Sequence, residues 1–191
     1  MITRESLLTL EAYAKQRTQF RAKVMEHKKR RTVHLGEHVT LLFEDELTIR
    51  YQVQEMLRIE RIFEEEGIQH ELDAYNPLVP DGSNWKATML IQYPDPEERR
   101  RMLAALKGVE EAVWAQVGEG PRIEPIADED LERENDEKTS SVHFLRFELD
   151  APTRRRVREG ARVLLGVDHP QYRASVELAP DVRTALAADL R

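Results

Sequence analysis

One pattern of strand, helix and strand occurs twice in the second half of the chain, and this repeat constrains the fold more than any other feature. Asp95 precedes three arginines at 99–101, and Asp150, 55 residues further on, precedes three arginines at 154–156. Two successive β-α-β units most simply form a ferredoxin-like sandwich, in which four antiparallel strands carry two helices on one face. A doubly wound parallel sheet is disfavoured, because no glycine-rich phosphate loop follows any of the strands. The predicted elements are strand 86–93, helix 96–117, strand 122–127, strand 142–149, helix 152–165, strand 173–178 and a final helix over 180–191.

The first half of the chain adds a helix, a hairpin and a second helix. The predicted elements are a helix over 7–30, strands 32–35 and 38–43, and a helix from Thr48 to about Gly67. We therefore expect an α+β fold in which an N-terminal helix, a β-hairpin and a helix pack against a ferredoxin-like βαββαβ domain. The predicted divisions are an N-terminal helix-hairpin-helix unit over 1–74, a turn-rich connecting loop over 75–85, and the ferredoxin-like domain with its C-terminal helix over 86–191.

Composition excludes several kinds of chemistry. The 191 residues include no cysteine, which rules out disulfides, thiolate zinc sites and an iron-sulfur cluster held by the protein's own cysteines. A metal held by other side chains is still open. No apolar run approaches the roughly 20 residues that span a bilayer, and the N-terminus lacks a secretory apolar region, so we expect a cytoplasmic protein without a membrane partner.

Charge is distributed unevenly along the chain. Residues 1–43 carry a net charge of +5 and residues 124–138 a net charge of −6, within a whole of −7. This asymmetry favours a partner chosen by its charge, or self-association into a homo-oligomer, although solvated charged faces also explain it. Nucleic acid is disfavoured as a partner, because the chain is acidic overall and its predicted sheet lacks an exposed aromatic pattern.

The segment over 75–86 is the most chemically dense loop of the sequence. Two successive turn signals, one at Asn76 and Pro77 and one over 80–83, make the chain change direction twice. A structural interpretation is a clamp packed down by its bulky side chains, whereas a functional one is a polar cluster presented at a cleft. The candidate binding residues of this loop are Tyr75, Asp81, Ser83, Asn84, Trp85 and Lys86.

Glu60 is a further candidate binding residue, because it falls on the apolar stripe of the predicted second helix. A carboxylate on a buried face needs a partner, since an unpaired buried charge is costly. Arg17 or Lys86 could form a structural ion pair with it. Alternatively, Glu60 could bind a hard metal together with Glu64, Asp81 or a histidine.

His34 and His38 are candidate metal ligands at the predicted hairpin. A two-residue turn places the two histidines on opposite faces and rules out a shared ion, whereas a three-residue loop could pair them directly. In the second case Glu37 or a remote carboxylate would supply a third ligand.

Three stretches of the chain resemble a known family. They are RTVHLGEHVTLLFED (31–45), RYQVQEMLRIERIFE (50–64) and YNPLVPDGSNWKATM (75–89), and they look like the bacterial family labelled domain of unknown function 3501. The likeness covers essentially the whole chain. It implies a role in peroxide or redox stress, because members are typically encoded near rubrerythrins and iron-sulfur oxidoreductases. It supplies no catalytic residue, since none is established for the family.

The sequence therefore favours an accessory protein over an enzyme. A nucleophile elbow, an H-E-x-x-H pair and a P-loop are all absent, and the nearest catalytic arrangement is a cluster of Lys86, Glu60 and Asp81. We expect a non-catalytic partner in a redox or oxidative-stress system, docking onto a redox protein or onto itself. The alternative is a metal- or small-cofactor-binding protein, enzymes included, with a site between the N-terminal unit and the 81–86 loop.

Overall fold

The computed structural model describes residues 1–191 and contains six α-helices and nine β-strands. The helices are α1 (Leu10–Lys29), α2 (Glu46–Glu60), α3 (Glu65–Tyr75), α4 (Pro96–Ala105), α5 (Ala151–Arg158) and α6 (Pro180–Ala187). The strands are β1 (Thr32–Leu35), β2 (Val39–Phe43), β3 (Asn84–Ile91), β4 (Val113–Val117), β5 (Arg122–Ile123), β6 (Ile126–Ala127), β7 (Val142–Glu148), β8 (Val163–His169) and β9 (Tyr172–Glu177). None of the helices has both the length and the apolar composition needed to cross a membrane.

The chain divides into two compact units. The helical unit comprises Met1–Arg30 and Glu44–Pro80, and the sheet unit comprises Arg31–Phe43 and Asp81–Arg191. The β1–β2 hairpin belongs to the sheet unit because β2 pairs along its whole length with β3. The division thus differs from the predicted one, which grouped the hairpin with the first helices on the basis of sequence order.

Local capping explains where the second helix of the helical unit begins and ends. The Asp45 carboxylate accepts from the Thr48 backbone N–H at 3.0 Å, and the Thr48 hydroxyl accepts from the Asp45 N–H at 2.9 Å, which is a capping box. Asp45, three residues before the predicted cap Thr48, is therefore the N-cap. The helix ends at Glu60 because Arg61 adopts a left-handed conformation with φ 54°. Its buried apolar face packs in a core with α3 and the N-terminal segment.

The sheet unit consists of two antiparallel sheets. Their strand orders are β1-β2-β3-β7-β6 and β5-β4-β8-β9. One apolar core draws residues from both sheets and from the three helices of this unit. Along β3 the buried positions alternate with half-buried ones, as expected for a strand with one face on a core. The Trp85 indole N–H on the buried face donates to the Leu186 carbonyl of α6 at 3.0 Å, which ties that helix to the core.

The two copies of the repeat are related, but they do not form one sheet. Each copy places its first strand in the five-stranded sheet and its second strand in the four-stranded sheet, and β3 pairs antiparallel with β7 as β4 does with β8. Asp95 and Asp150 are equivalent N-caps, each accepting from a backbone N–H three residues later. The mixed α+β class is confirmed, whereas a ferredoxin-like arrangement is not confirmed.

The predicted helices of the repeat were too long. This error explains why the predicted strands differ from the observed ones. Helix α4 ends at Ala105, and the segment Val113–Val117, assigned to the same helix from its four-residue spacing, is strand β4. Val113, Ala115 and Val117 also alternate at two-residue spacing, and valine is favoured in strands. Gly108, with φ 76°, turns the chain between the two elements.

Candidate metal centre

Three elements of the sheet unit bring Glu110, Asp128 and His143 together. Glu110 lies in the turn between α4 and β4, Asp128 directly follows β6, and His143 lies on β7. Asp128 adopts a positive φ of 48°, a conformation that aspartate tolerates better than most residues. Its backbone N–H donates to the Phe144 carbonyl and its Oδ1 accepts from the Phe144 N–H, each at 2.8 Å. Asp128 therefore extends the pairing of β6 with β7, and its second oxygen is held towards His143.

His143 is fully buried and both of its ring nitrogens have partners. Nδ1 lies 2.6 Å from Asp128 Oδ2, and Nε2 lies 2.9 Å from the Thr139 hydroxyl oxygen and 3.1 Å from the Ser140 carbonyl. Since an ionised carboxylate only accepts, Nδ1 carries the hydrogen in this contact. Nε2 then accepts from the Thr139 hydroxyl or, if protonated, donates to the Ser140 carbonyl.

Glu110 is buried without a full set of partners. The residue retains 9% of its accessible surface, and its Oε2 is buried with no hydrogen-bond partner. That oxygen lies 3.9 Å from His143 Nε2. Burial raises the pKa of Glu110, and the negative charges of Glu134 and Asp128 act in the same direction. The attraction of His143 and the backbone N–H of Glu110 offset only part of this increase.

The geometry of the three side chains suits a metal ion. One ligand atom from each of Glu110, Asp128 and His143 lies within 4.8 Å of the other two. The adjoining cavity has a volume of about 340 Å³, and five carboxylates and one arginine line it: Glu110, Glu111, Asp128, Glu132, Glu134 and Arg133. Such a cavity attracts cations. The same side chains could also pass a proton between the Thr139 hydroxyl, the imidazole and Asp128, but Thr139 is only 1% exposed.

The predicted loop gathers several of its polar residues around Glu148 instead. Asp81 Oδ1 accepts from the Ser83 N–H at 2.9 Å and from its hydroxyl at 2.7 Å, and these bonds lower the pKa of Asp81. The Asn84 amide donates to Glu148 Oε1 at 2.8 Å, and the Ser83 hydroxyl donates to Glu148 Oε2 at 3.2 Å. These side chains satisfy one another in one hydrogen-bonded network.

Lys86 lies in register with Arg146 on the neighbouring strand of the same sheet. Burial lowers the pKa of Lys86, although Asp81 acts in the opposite direction. Arg146 forms a bidentate contact with Glu129, at 2.6 and 2.8 Å. The fully buried Trp85 points into the core on the opposite face, where its ring meets Phe43 edge-on at 6.2 Å.

The last two predicted binding residues, Tyr75 and Glu60, lie in the helical unit. Tyr75 is half-buried against the core of that unit. Glu60 is exposed, so the expectation that it lies on a buried face is wrong. The reason is that Glu60 is the last residue of α2, so the apolar stripe ends there, and the nearby Phe63 is also exposed.

The hairpin histidines have separate partners. The loop has three residues, but it pairs Leu35 with Val39 and His34 with Thr40, a register that neither of the two anticipated turns produces. His34 Nδ1 lies 3.0 Å from the Thr40 hydroxyl. His38 Nδ1 lies 2.9 Å from the Gln92 carbonyl, and its ring stacks on Tyr93 with 3.9 Å between centroids. A shared ion at this pair stays a prediction.

Sequence reasoning missed Glu110, Asp128 and His143, although one signal was present. In the strand VHFLRFEL, His143 alternates in phase with Leu145, Phe147 and Leu149, all of which are buried. A histidine in the apolar phase of a strand indicates a buried imidazole that needs polar partners. Neither Glu110 nor Asp128 carries a comparable signal.

Comparison with known proteins places this chain beside others without an assigned activity. The family model described as "Protein of unknown function (DUF3501)" matches residues 1–190. The crystal structure of a novel protein of unknown function from Burkholderia pseudomallei K96243 is similar, with a TM-score of 0.95 and 56% sequence identity over 100% of this chain and 99% of that chain. No curated protein matches the chain.

Proposed function

This chain belongs to the DUF3501 family, and for this member we propose binding of a divalent metal ion by Glu110, Asp128 and His143. The observation that carries the proposal is the buried Glu110 oxygen that has no hydrogen-bond partner and faces an imidazole held by a carboxylate. The metal-binding alternative of the sequence analysis is thereby given different ligands.

The metal-free arrangement is energetically costly at Glu110. A buried carboxylate oxygen without a donor carries a desolvation penalty of about 1–3 kcal/mol or more. Its neighbours Asp128 and Glu134 are acidic, so ionisation adds repulsion. A divalent cation removes both penalties, because it supplies the missing partner and neutralises two carboxylates at once.

The surroundings already orient two of the proposed ligands. The Phe144 N–H holds one oxygen of Asp128 and leaves the other towards His143. The ring nitrogen of His143 that lies 3.9 Å from the free Glu110 oxygen is Nε2, so an ion that reaches both would bind there in place of the Thr139 and Ser140 contacts, while Asp128 holds Nδ1. Metal-binding histidines commonly have their second nitrogen engaged in this way.

One nitrogen and two carboxylate donors favour particular ions. Zn²⁺, Mn²⁺, Fe²⁺ and Co²⁺ accept mixed imidazole and carboxylate ligands, whereas Ca²⁺ prefers oxygen alone and Cu⁺ prefers sulfur. The role with a redox partner, and the homo-oligomer, stay predictions. A redox-active ion such as Fe²⁺ or Mn²⁺ would give the redox role a chemical basis.

Metal titration tests the proposal. Protein stripped with a chelator is titrated with Zn²⁺ and Mn²⁺ by calorimetry, and with Co²⁺ by its visible absorption. We expect one ion per chain. His143→Ala and Glu110→Gln should each weaken binding by at least about a hundredfold, because each removes one of three ligands.

Glu111→Gln is the matched control, since Glu111 is the adjacent carboxylate, lines the same cavity and is exposed. Circular dichroism of every variant separates loss of the ion from loss of the fold. Absence of stoichiometric binding by the wild type, or unchanged binding in folded Glu110→Gln protein, would refute the proposal.

A further inference from the structure

Arg133 lies beside the proposed centre and carries the positive charge that lines its cavity. Its side chain is 13% exposed, and its Nε lies 3.5 Å from Asp128 Oδ1. Its Nη2 lies 2.7 Å from Asp130 Oδ2, and its guanidinium group lies 4.6 Å from the centre of the Phe144 ring. Arg133 therefore shares with the proposed ion the negative charge of one ligand, Asp128.

Arg133 is not the group that positions Asp128. Contacts of 2.8 Å from the Phe144 N–H and 2.6 Å from His143 hold the two carboxylate oxygens, and both contacts are shorter than the 3.5 Å contact from Arg133. The main effect of Arg133 on an ion at this site is consequently electrostatic. The Arg133 guanidinium group and a metal ion bound by Asp128 would both be positive and close together. They would repel strongly, because solvent screens charges poorly in a partly buried site.

We infer that Arg133 acts as a built-in counter-cation of the site, which means a positive side chain that balances the charge of Asp128 and Asp130 when no metal ion is bound. Because it repels a metal ion that binds beside it, Arg133 also lowers the affinity of the site for that ion. This inference rests on the proposed metal binding. It also assigns Arg133 a part in selectivity, because a monovalent cation offers Asp128 no more charge than the guanidinium already supplies. A divalent ion offers Asp128 more positive charge than the guanidinium group does, so the site favours divalent over monovalent cations.

The four-stranded sheet provides a matched control. Arg122 pairs with Asp168 at 2.5 Å, and its guanidinium group lies 3.9 Å from the centre of the Trp114 ring. Arg122 thus makes the same two kinds of contact as Arg133, an ion pair with a carboxylate and a contact with the face of an aromatic ring. Neither Asp168 nor Trp114 belongs to the proposed centre. Neutralising Arg122 should therefore leave metal affinity unchanged.

The experiment compares Zn²⁺ and Mn²⁺ affinities by competition with a chromogenic chelator. We expect Arg133→Gln to bind each ion about tenfold or more tightly than the wild type, because one repelling charge is gone. Arg133→Lys keeps the charge and should stay within about threefold, and Arg122→Gln should match the wild type. Selectivity is tested with wild-type protein that already holds Zn²⁺ or Mn²⁺. Excess Na⁺ or K⁺ should release no more of the bound divalent ion than the rise in ionic strength alone explains.

The outcomes separate this inference from the proposed function. Wild-type binding with unchanged or weaker binding by folded Arg133→Gln overturns the counter-cation role alone. No binding by either protein overturns the metal site, and the role of Arg133 with it. Tighter binding by Arg133→Gln and Arg122→Gln alike would show a general charge effect and would also overturn the specific role of Arg133.

Discussion

Glu55 of the helical unit and Glu110 of the sheet unit are two carboxylates with almost the same burial and opposite surroundings. They retain 8% and 9% of their accessible surface. Glu55 accepts from Arg17 at 2.7 Å, from Arg58 at 2.9 Å and from the Tyr13 hydroxyl at 3.1 Å. Glu110 Oε2 accepts from nothing.

Burial by itself raises the pKa of both carboxyl groups, and the difference in their neighbours is what makes the two final directions opposite. Burial by itself raises the pKa of Glu55, but the hydrogen bonds from Arg17, Arg58 and Tyr13 outweigh it, so that the pKa lies below its ordinary value. Burial also raises the pKa of Glu110, and its acidic neighbours increase the effect. A fully partnered buried carboxylate indicates a structural role, whereas an unpartnered one indicates a place where something else binds.

Glu55→Ala should produce the largest change in stability. It leaves Arg17, Arg58 and the buried Tyr13 hydroxyl without their shared acceptor, and we expect the free energy of unfolding to fall by about 3 kcal/mol. Urea unfolding followed by circular dichroism measures it. Glu60→Ala is the control, since Glu60 is exposed on the same helix and its loss should cost less than about 0.5 kcal/mol. Equal effects of the two substitutions would remove the contrast between partnered and exposed carboxylates.

The contribution of Glu55 should also disappear in acid. Its folded-state pKa is lowered from 4.5, so the stability it contributes is present above that unfolded-state value and is lost as the pH falls through the folded-state pKa. The difference in unfolding free energy between wild type and Glu55→Gln should be constant near neutral pH and should narrow below pH 4.5. A difference that persists unchanged into strong acid would show that the charge of Glu55 is not what stabilises the helical unit.

Glu110→Gln should change the stability least, and it should stabilise the protein where Glu55→Ala destabilises it. It removes a buried charge that repels Asp128 and Glu134, and we expect metal-free protein at neutral pH to gain about 1 kcal/mol in unfolding free energy. Glu111→Gln, an exposed neighbour, should change stability by less than about 0.5 kcal/mol. Clear destabilisation by Glu110→Gln would mean that the ionised carboxylate supports the fold, which would make Glu110 resemble Glu55.

Elements with strong local signals were predicted well. The first helix was expected over 7–30 and spans Leu10–Lys29, and the strand expected over 142–149 spans Val142–Glu148. Helix α3 was missed, because the helix predicted from Thr48 was extended to about Gly67 without a break. Only the left-handed Arg61 shows where α2 stops, and arginine carries no sequence signal for that conformation.

The candidate site was less accessible to sequence reasoning than the fold. The loop over 81–86 was chosen for its density of polar residues, and the structure shows Asp81, Ser83 and Asn84 bonded to one another or to Glu148. Polar density does not distinguish a satisfied network from a site, because both use the same residue types. The distinction depends on which partners are in reach, and those come from other strands.

The sequence by itself determined the family, the α+β class, the absence of cysteine chemistry and the aspartate that begins each repeated helix, because these depend on composition, on motifs and on residues a few positions apart. Only the tertiary structure decided which sheet each strand joins. It also decided that Glu110, Asp128 and His143 meet, and that Glu110 is left without a partner there. The physical reason is that burial and hydrogen-bond satisfaction are set by non-local strand pairing, and local sequence patterns do not specify it.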